Sequence, residues 1–168
     1  MFKKQLIGFV GALAAMMTLA LLWYCRDALP QIRPSGDDLP NRLAFVLTWL
    51  VLPGLALLIG VIGAARRGFY RDAIDGTRTP ASPALEINLR YNQNTLEQVL
   101  LASIAWAGLA IKLPAEMLFL LPAMAVIFLA ARLAFFIGYL IYPVGRTFGM
   151  TLTVTPTIIA YIWLLGRL

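Results

Sequence analysis

Five long apolar stretches follow one another along the chain, and short segments with charged residues, glycine or proline separate them. Because a helix needs about 20 residues to cross about 30 Å of hydrocarbon, each stretch predicts one membrane-spanning helix. The predicted spans cover residues 6–25, 43–65, 83–111, 114–142 and 147–165. The pattern therefore predicts an all-α integral membrane protein.

Proline and its neighbours indicate where the spans bend and begin. Pro53 and Gly54 lie in the middle of the second span, and proline removes a helical hydrogen bond, so we expect a kink there. Ser82 followed by Pro83 is typical of a helix start, with a hydroxyl cap and proline at the first helical position. The third helix is therefore expected to begin at Pro83, after a polar loop over residues 68–82.

The third and fourth helices are predicted to form an antiparallel hairpin that turns at about Leu113. Counting back from the turn on both sides places Asn94 level with Arg132, which lies well inside the fourth span. An ionised side chain at membrane depth costs roughly 2.5 to 3.5 kcal/mol and needs a polar partner. We expect Glu97, one turn along the third helix from Asn94, to be the partner of Arg132.

A polar stripe is predicted on the third helix. Arg90, Asn94 and Glu97 are separated by four and three residues, so they line one face of the helix. Such a stripe faces protein or water rather than lipid. It indicates either a ligand site or a structural seam that holds helices together, since amide and ionic side chains serve both purposes.

Composition supports a membrane protein and excludes several other classes. Of the 168 residues 61% are hydrophobic and 13% are charged, and the mean hydropathy is +0.81, whereas charged residues make up about a quarter of a soluble domain. The net charge is +6, but nearly all basic residues lie at or near span ends, which indicates membrane topology and not nucleic-acid binding. One cysteine and no histidine exclude an intrachain disulfide and predict no metal site.

The basic residues predict a cytoplasmic N-terminus, because cytoplasmic loops carry the excess of lysine and arginine, and we expect the protein in a bacterial inner membrane. With that orientation eight basic residues lie on the cytoplasmic side, namely Lys3, Lys4, Arg66, Arg67, Arg71, Arg78, Arg90 and Arg146. Five lie outside, namely Arg26, Arg33, Arg42, Lys112 and Arg167.

The same orientation gathers cations and a phenol from separate segments at one membrane face. These residues are Arg66, Arg67, Arg90, Tyr139 and Arg146. Arginine side chains form paired hydrogen bonds with carboxylates, and the carboxylate of Glu97 would bind an ammonium group. The face therefore suits a small anionic molecule that carries both carboxylates and an amine.

Four features follow one another in a particular order and spacing. They are the pair Arg66–Arg67 at the end of the second span, the set Arg90, Asn94 and Glu97, the pair Gly138–Tyr139, and Arg146 seven residues after Tyr139. Together they resemble the MAPEG family, the membrane-associated proteins in eicosanoid and glutathione metabolism. The resemblance covers residues 43–168 and implies a four-helix membrane domain that forms a homotrimer and binds glutathione between neighbouring subunits. Residues 1–42 would then be an additional N-terminal transmembrane helix and loop.

The resemblance also implies a function and a role for each residue. The chain is expected to be a glutathione S-transferase or a glutathione-dependent peroxidase that acts on lipophilic electrophiles in the bilayer. Arg146 matches the arginine that activates the thiol, and a guanidinium at the positive end of a helix lowers a thiol pKa by roughly one to several units. The residues implied in holding glutathione are Arg90, Asn94, Glu97 and Tyr139, with Arg66 or Arg67 from an adjacent chain and Arg132 behind them.

Two departures from the family pattern keep another class of function open. Gln98 stands where many members carry a tyrosine, and Phe135 stands where some carry another, which weakens the case for any particular eicosanoid activity. The alternative is a non-catalytic membrane module that binds an anionic metabolite or lipid, or acts as a scaffold, with Tyr139 as an interfacial belt residue. A small transporter is disfavoured, because no inverted repeat is visible and the polar groups cluster at one face rather than near the midplane.

Overall fold

The computed structural model describes residues 2–71, 73–76 and 82–168, and this part of the chain is helical without any strand. The helices are α1 (Phe2–Tyr24), α2 (Leu39–Trp49), α3 (Val51–Ala65), α4 (Pro83–Lys112), α5 (Leu120–Ile141) and α6 (Thr147–Leu165). Short 3-10 turns lie at Arg26–Ala28, Arg66–Phe69 and Ala115–Met117. The all-α prediction is confirmed. Part of the predicted loop, residues 72 and 77–81 with Arg78, lies outside the described residues.

Within the described ranges, five helical segments are long and apolar enough to cross a membrane, as the hydrophobic pattern predicts. They are Phe2–Tyr24, Leu39–Phe69, Pro83–Lys112, Ala115–Ile141 and Thr147–Leu165. α2 and α3 together form the second segment, and the turn before α5 belongs to the fourth. These helices fit an integral membrane protein.

The second span is interrupted at Leu50, between the end of α2 and the start of α3. Pro53 has no N–H group, so it cannot donate to the carbonyl oxygen of Trp49 one turn earlier. Helical hydrogen bonding continues through the N–H of Gly54, which donates to the carbonyl oxygen of Leu50 at 3.0 Å. This interruption lies three residues before Pro53, and the kink that the sequence predicts at Pro53 and Gly54 stays a prediction.

Side chains cap the starts of α2 and α4. α4 begins at Pro83 as predicted, and the hydroxyl of Ser82 accepts a hydrogen bond from the backbone N–H of Leu85 at 3.4 Å. The carboxylate of Asp38 accepts one from the backbone N–H of Asn41 at 3.0 Å, and this bond lowers the pKa of Asp38 below its usual value. Both caps satisfy N–H groups that lack helical partners.

α1 packs mainly along α6, and the two helices run in the same direction. Gly11 lies against the backbone of Phe148 near the start of α6, and the sulfur of Met16 lies 3.7 Å from the hydroxyl of Thr155 one to two turns further on. Ala15 is the one residue of α1 that is buried. Most of the apolar surface of α1 is therefore available to lipid.

Apolar packing continues to the end of the bundle where α4 finishes. Trp106 of α4 packs edge-on against Phe128 of α5, with ring centroids 6.1 Å apart. Arg42 at the start of α2 donates to the carbonyl oxygens of Ala110 at 3.2 Å and Leu113 at 2.7 Å, which have no partner within α4 because the helix ends there. This contact ties α2 to the end of α4, and the polar residues of interest lie towards the opposite end.

Candidate functional site

An open groove of about 400 Å³ lies between α4, α5 and α6. Its lining residues are Arg90, Gln93, Asn94 and Glu97 from α4, Phe135 and Tyr139 from α5, Met150 from α6, and Arg146 immediately before α6. Each lining residue has another lining residue three or four positions away along the chain, so each of the three segments presents a single face. The structure thus brings Arg90, Asn94, Glu97, Tyr139 and Arg146 together, as the sequence predicts.

Two glycines explain why Tyr139 and Arg146 are neighbours. Gly138 near the end of α5 and Gly145 just before α6 are in backbone contact, and a β-carbon on either residue would overlap the carbonyl oxygen of the other. This close approach folds the start of α6 back onto the end of α5. As a result the guanidinium carbon of Arg146 lies 4.6 Å from the ring centre of Tyr139, within the range of a cation–π contact.

Arg146 occupies the positive end of α6. It is the residue immediately before Thr147, where the helix begins, so the sequence-based placement of Arg146 at the opening of the last helix is confirmed. The partial positive charge of a helix N-terminus adds to the charge of the guanidinium. This corner of the groove is therefore the part best suited to stabilise a negative charge.

Arg90 is held by a partner that the sequence analysis missed. Its Nε and Nη2 atoms both donate to the same carboxylate oxygen of Glu86, at 3.0 Å and 2.8 Å. The spacing of four residues between Glu86 and Arg90 was the available signal, since such pairs face each other on a helix. Glu86 thus fixes the orientation of the Arg90 guanidinium through Nε and Nη2, and within the described residues its Nη1 atom makes no hydrogen bond.

The prediction of an ion pair between Arg132 and Glu97 is wrong. Glu97 is exposed, and its carboxylate accepts a hydrogen bond from the side-chain amide of Gln93 at 2.7 Å. Arg132 is fully buried and donates through Nη2 to the amide oxygen of Asn94 at 2.9 Å, and through Nη1 to the hydroxyl of Thr153 at 3.4 Å. The prediction that Asn94 lies level with Arg132 is therefore confirmed, but Glu97 lies on a different side of α4 and does not face Arg132.

Aromatic rings complete the surroundings of Arg132. Its guanidinium carbon lies 4.1 Å from the ring centre of Phe135 and 5.5 Å from that of Tyr91. Tyr91 is itself fixed, because its hydroxyl donates to the carbonyl oxygen of Ala56 at 2.8 Å. Arg132 therefore lies behind the groove, separated from it by Asn94 and Phe135, as a group behind the lining residues was expected to do.

Arg66 and Arg67 do not line the groove of their own protomer. Arg66 donates to the carbonyl oxygen of Ala84 at 2.9 Å, in the first turn of α4, and Arg67 donates to the carbonyl oxygen of Ala73 at 3.0 Å. Both lie at the end of the bundle where α4 begins. The contact expected from an adjacent chain concerns a second protomer and stays a prediction.

Fold and site together define a helical membrane protein with a cationic, ligand-sized groove that opens at one end of the bundle. A comparison with protein-family models matches residues 42–166 to the MAPEG family, so the chain belongs to that family. α1 precedes the matched residues. Comparisons with curated proteins and with solved structures returned no match.

Proposed function

We propose that the groove binds glutathione and that the protein uses the glutathione thiol against lipophilic compounds, as a glutathione S-transferase or a glutathione-dependent peroxidase. Membership of the MAPEG family supports this proposal, because the family includes glutathione transferases and peroxidases. Five of the residues that match the family pattern line the groove, namely Arg90, Asn94, Glu97, Tyr139 and Arg146. Glutathione enters here as a co-substrate.

The observation that carries the proposal is the charge pattern of the groove. Arg90 and Arg146 place two guanidinium groups in it, and Glu97 places one carboxylate there. Glutathione at neutral pH carries two carboxylates and one ammonium group, which is the complementary pattern. Guanidinium groups bind carboxylates through paired hydrogen bonds, and a carboxylate binds an ammonium group.

The chemistry assigned to Arg146 is activation of the thiol. The thiolate is the reactive form, and a nearby guanidinium together with a helix N-terminus lowers the thiol pKa towards neutrality. In the transferase reaction the thiolate forms a bond to an electrophilic carbon, and the electrons displaced from that carbon leave with a leaving group or take up a proton. In the peroxidase reaction two glutathione molecules become the disulfide as a hydroperoxide is reduced to alcohol and water.

The proposal includes an assembly and an orientation. Three copies would form a homotrimer in which Arg66 or Arg67 of one chain reaches the groove of the next, and both residues lie at the end of the bundle where α4 begins. Residues 43–168 would form the four-helix domain, with residues 1–42 as an additional span and loop. The protein would lie in a bacterial inner membrane with its N-terminus in the cytoplasm, where glutathione is available.

The groove also supports the alternative of a non-catalytic module that binds an anionic metabolite or lipid. Phe135 presents a phenyl ring to the groove, and Gln98 is a buried amide. Neither residue supplies the phenol that some members carry at the first position and many carry at the second. A module of this kind would bind anions through Arg90 without forming a thiolate. The two functions therefore differ in what happens to the thiol after binding.

Replacement of Glu97 with glutamine tests the proposed binding mode. The variant keeps the shape of the side chain but removes the charge that would pair with the ammonium group, so glutathione affinity should fall about tenfold or more, as for other charged hydrogen bonds. Titration calorimetry on the purified protein measures the change. Glu116→Gln, in the turn before α5 at the end of the bundle where α4 finishes, is the matched control and should bind like the wild type. An unchanged affinity in Glu97→Gln would remove this residue from the site.

A further inference from the structure

Arg132 carries a buried positive charge that only neutral groups contact. None of its side chain is exposed, and within the described residues no carboxylate lies within ion-pair distance of it. Its hydrogen-bond partners are the amide oxygen of Asn94 and the hydroxyl of Thr153. A buried charge without a counterion is costly, so Arg132 depends on its hydrogen bonds. Which atom donates and which accepts in each of these bonds determines how Asn94 is oriented.

Thr153 can serve Arg132 only as an acceptor. Its hydroxyl hydrogen is directed at the carbonyl oxygens of Gly149 and Met150 in the preceding turn of α6, at 3.1 Å and 2.9 Å. A threonine hydroxyl has one hydrogen and two lone pairs. The lone pairs therefore face Arg132, whose guanidinium can only donate. Arg132 thus fixes the direction of this hydrogen bond, and the backbone of α6 holds the hydroxyl of Thr153 so that its lone pairs face the guanidinium.

The same argument fixes the amide of Asn94. Because Arg132 only donates, the atom of Asn94 that faces it at 2.9 Å has to be the amide oxygen. The amide nitrogen, with two hydrogens, is then the end left for the groove, which Asn94 lines. Among the described residues no acceptor is recorded for that nitrogen. Polarisation of the amide by the buried guanidinium strengthens the nitrogen as a donor.

We infer that Thr153 and Arg132 act as positioning residues that lock the amide nitrogen of Asn94 towards the groove, so that Asn94 binds an anionic oxygen of the ligand and not its ammonium group. The inference deepens the proposed function, on which it rests for the identity of the ligand. It adds Thr153, a residue of α6 outside the groove lining, to the residues that determine what the groove accepts. In this arrangement Asn94 binds an anionic oxygen of the ligand, and Glu97 binds its ammonium group.

The first test follows the relay without any ligand. Protein labelled with nitrogen-15 at asparagine, in detergent micelles, reports the side-chain amide of Asn94 by NMR, with Asn94→Ala used for assignment. Thr153→Val keeps the side-chain shape and removes the acceptor, so the Asn94 amide signal should shift and its hydrogens should exchange faster. Thr153→Ser should restore the wild-type signal. Thr157→Val is the matched control and should leave the signal unchanged, since the hydroxyl of Thr157 donates to the backbone carbonyl oxygen of Thr153 and, among the described residues, makes no hydrogen bond to Arg132 or Asn94.

The second test measures glutathione affinity on the same variants. Thr153→Val should weaken binding about tenfold, while Thr153→Ser and Thr157→Val should stay within about twofold of the wild type. Equal losses in Thr153→Val and Thr157→Val would show a packing effect and overturn the relay. An unchanged amide signal in Thr153→Val would also overturn it. If the wild type binds no glutathione, the proposed function fails, while the amide signal still decides whether the relay exists.

Asn94→Asp tests whether the side chain of Asn94 donates a hydrogen bond to the ligand or accepts one from it. If Asn94 donates to an anionic oxygen, a carboxylate in its place repels that oxygen, and glutathione affinity should fall below that of Asn94→Ala. If Asn94 instead accepted the ammonium group, the aspartate would bind more tightly than the wild type. The second result would contradict the inferred orientation.

Discussion

Arg146→Ala should prevent formation of bound glutathione thiolate at neutral pH and lower the transferase rate about thirtyfold, in proportion to the lost thiolate. An unassisted thiol has a pKa near 8.5 and is only a few per cent thiolate at pH 7. The guanidinium of Arg146 lies at the N-terminus of α6, and a lowering of the thiol pKa by roughly one to several units would make thiolate the main form. Absorbance of the thiolate band, recorded on adding glutathione to purified protein, measures the difference.

Two further arginine variants separate the role of Arg146 from general effects. Arg146→Lys keeps a charge but loses the planar fork, so it should retain part of the signal. Arg167→Ala is the matched control, because Arg167 also stacks on an aromatic ring, Trp163, with its guanidinium carbon 3.6 Å from the ring centre, but lies beyond the other end of α6. It should give the full signal. Persistence of the thiolate band in Arg146→Ala would contradict the assigned role, and absence of the band in the wild type would favour the non-catalytic module.

Gly149→Ala should destabilise the bundle by about 1–3 kcal/mol, the usual cost of overpacking a tight interior. Gly149 of α6 lies very close to α5. A β-carbon added to Gly149 would lie 2.7 Å from the Cα atom of Phe135 and would overlap other backbone atoms of α5. The helices have to separate to relieve this overlap. Since they carry Phe135 and Tyr139 on one side of the groove and Arg146 on the other, glutathione affinity should fall with stability. Thermal unfolding in detergent, with calorimetry for affinity, measures both.

Gly54→Ala is the matched control for that prediction. Gly54 lies in α3, and nothing lies within 4 Å of the position that its β-carbon would occupy. Its replacement should leave stability unchanged or raise it slightly, because alanine is the better helix former. If Gly149→Ala unfolds at the same temperature as the wild type, the close contact between α5 and α6 does not determine the geometry of the groove.

The sequence predicts the positions of residues along the helices well. Span boundaries follow from apolar length and from local signals such as Ser82 and Pro83, and the hairpin count places Asn94 beside Arg132 correctly. These features depend on rise per residue and on capping chemistry, which are local properties. The meeting of Tyr139 and Arg146 follows in the same way from the short connection between α5 and α6.

Rotation about the helix axes is what the sequence leaves undetermined. Glu97 and Asn94 are three residues apart and equally able to meet Arg132 by level, yet only Asn94 faces it. On α4 polar residues occur on more than one face, so the apolar pattern does not give a single rotation. The partner of Arg90 was missed because the predicted polar stripe begins at Arg90 and leaves out Glu86, one turn earlier on the same helix.

A structure of the protein with glutathione, determined by cryo-electron microscopy or crystallography, tests the central claim most directly. We expect glutathione in the groove between α4, α5 and α6, with its sulfur beside the guanidinium of Arg146 and its ammonium group within hydrogen-bond distance of Glu97. Glutathione bound elsewhere, for instance at the other end of the bundle near Arg42, or bound in the groove with its sulfur away from Arg146, would contradict it.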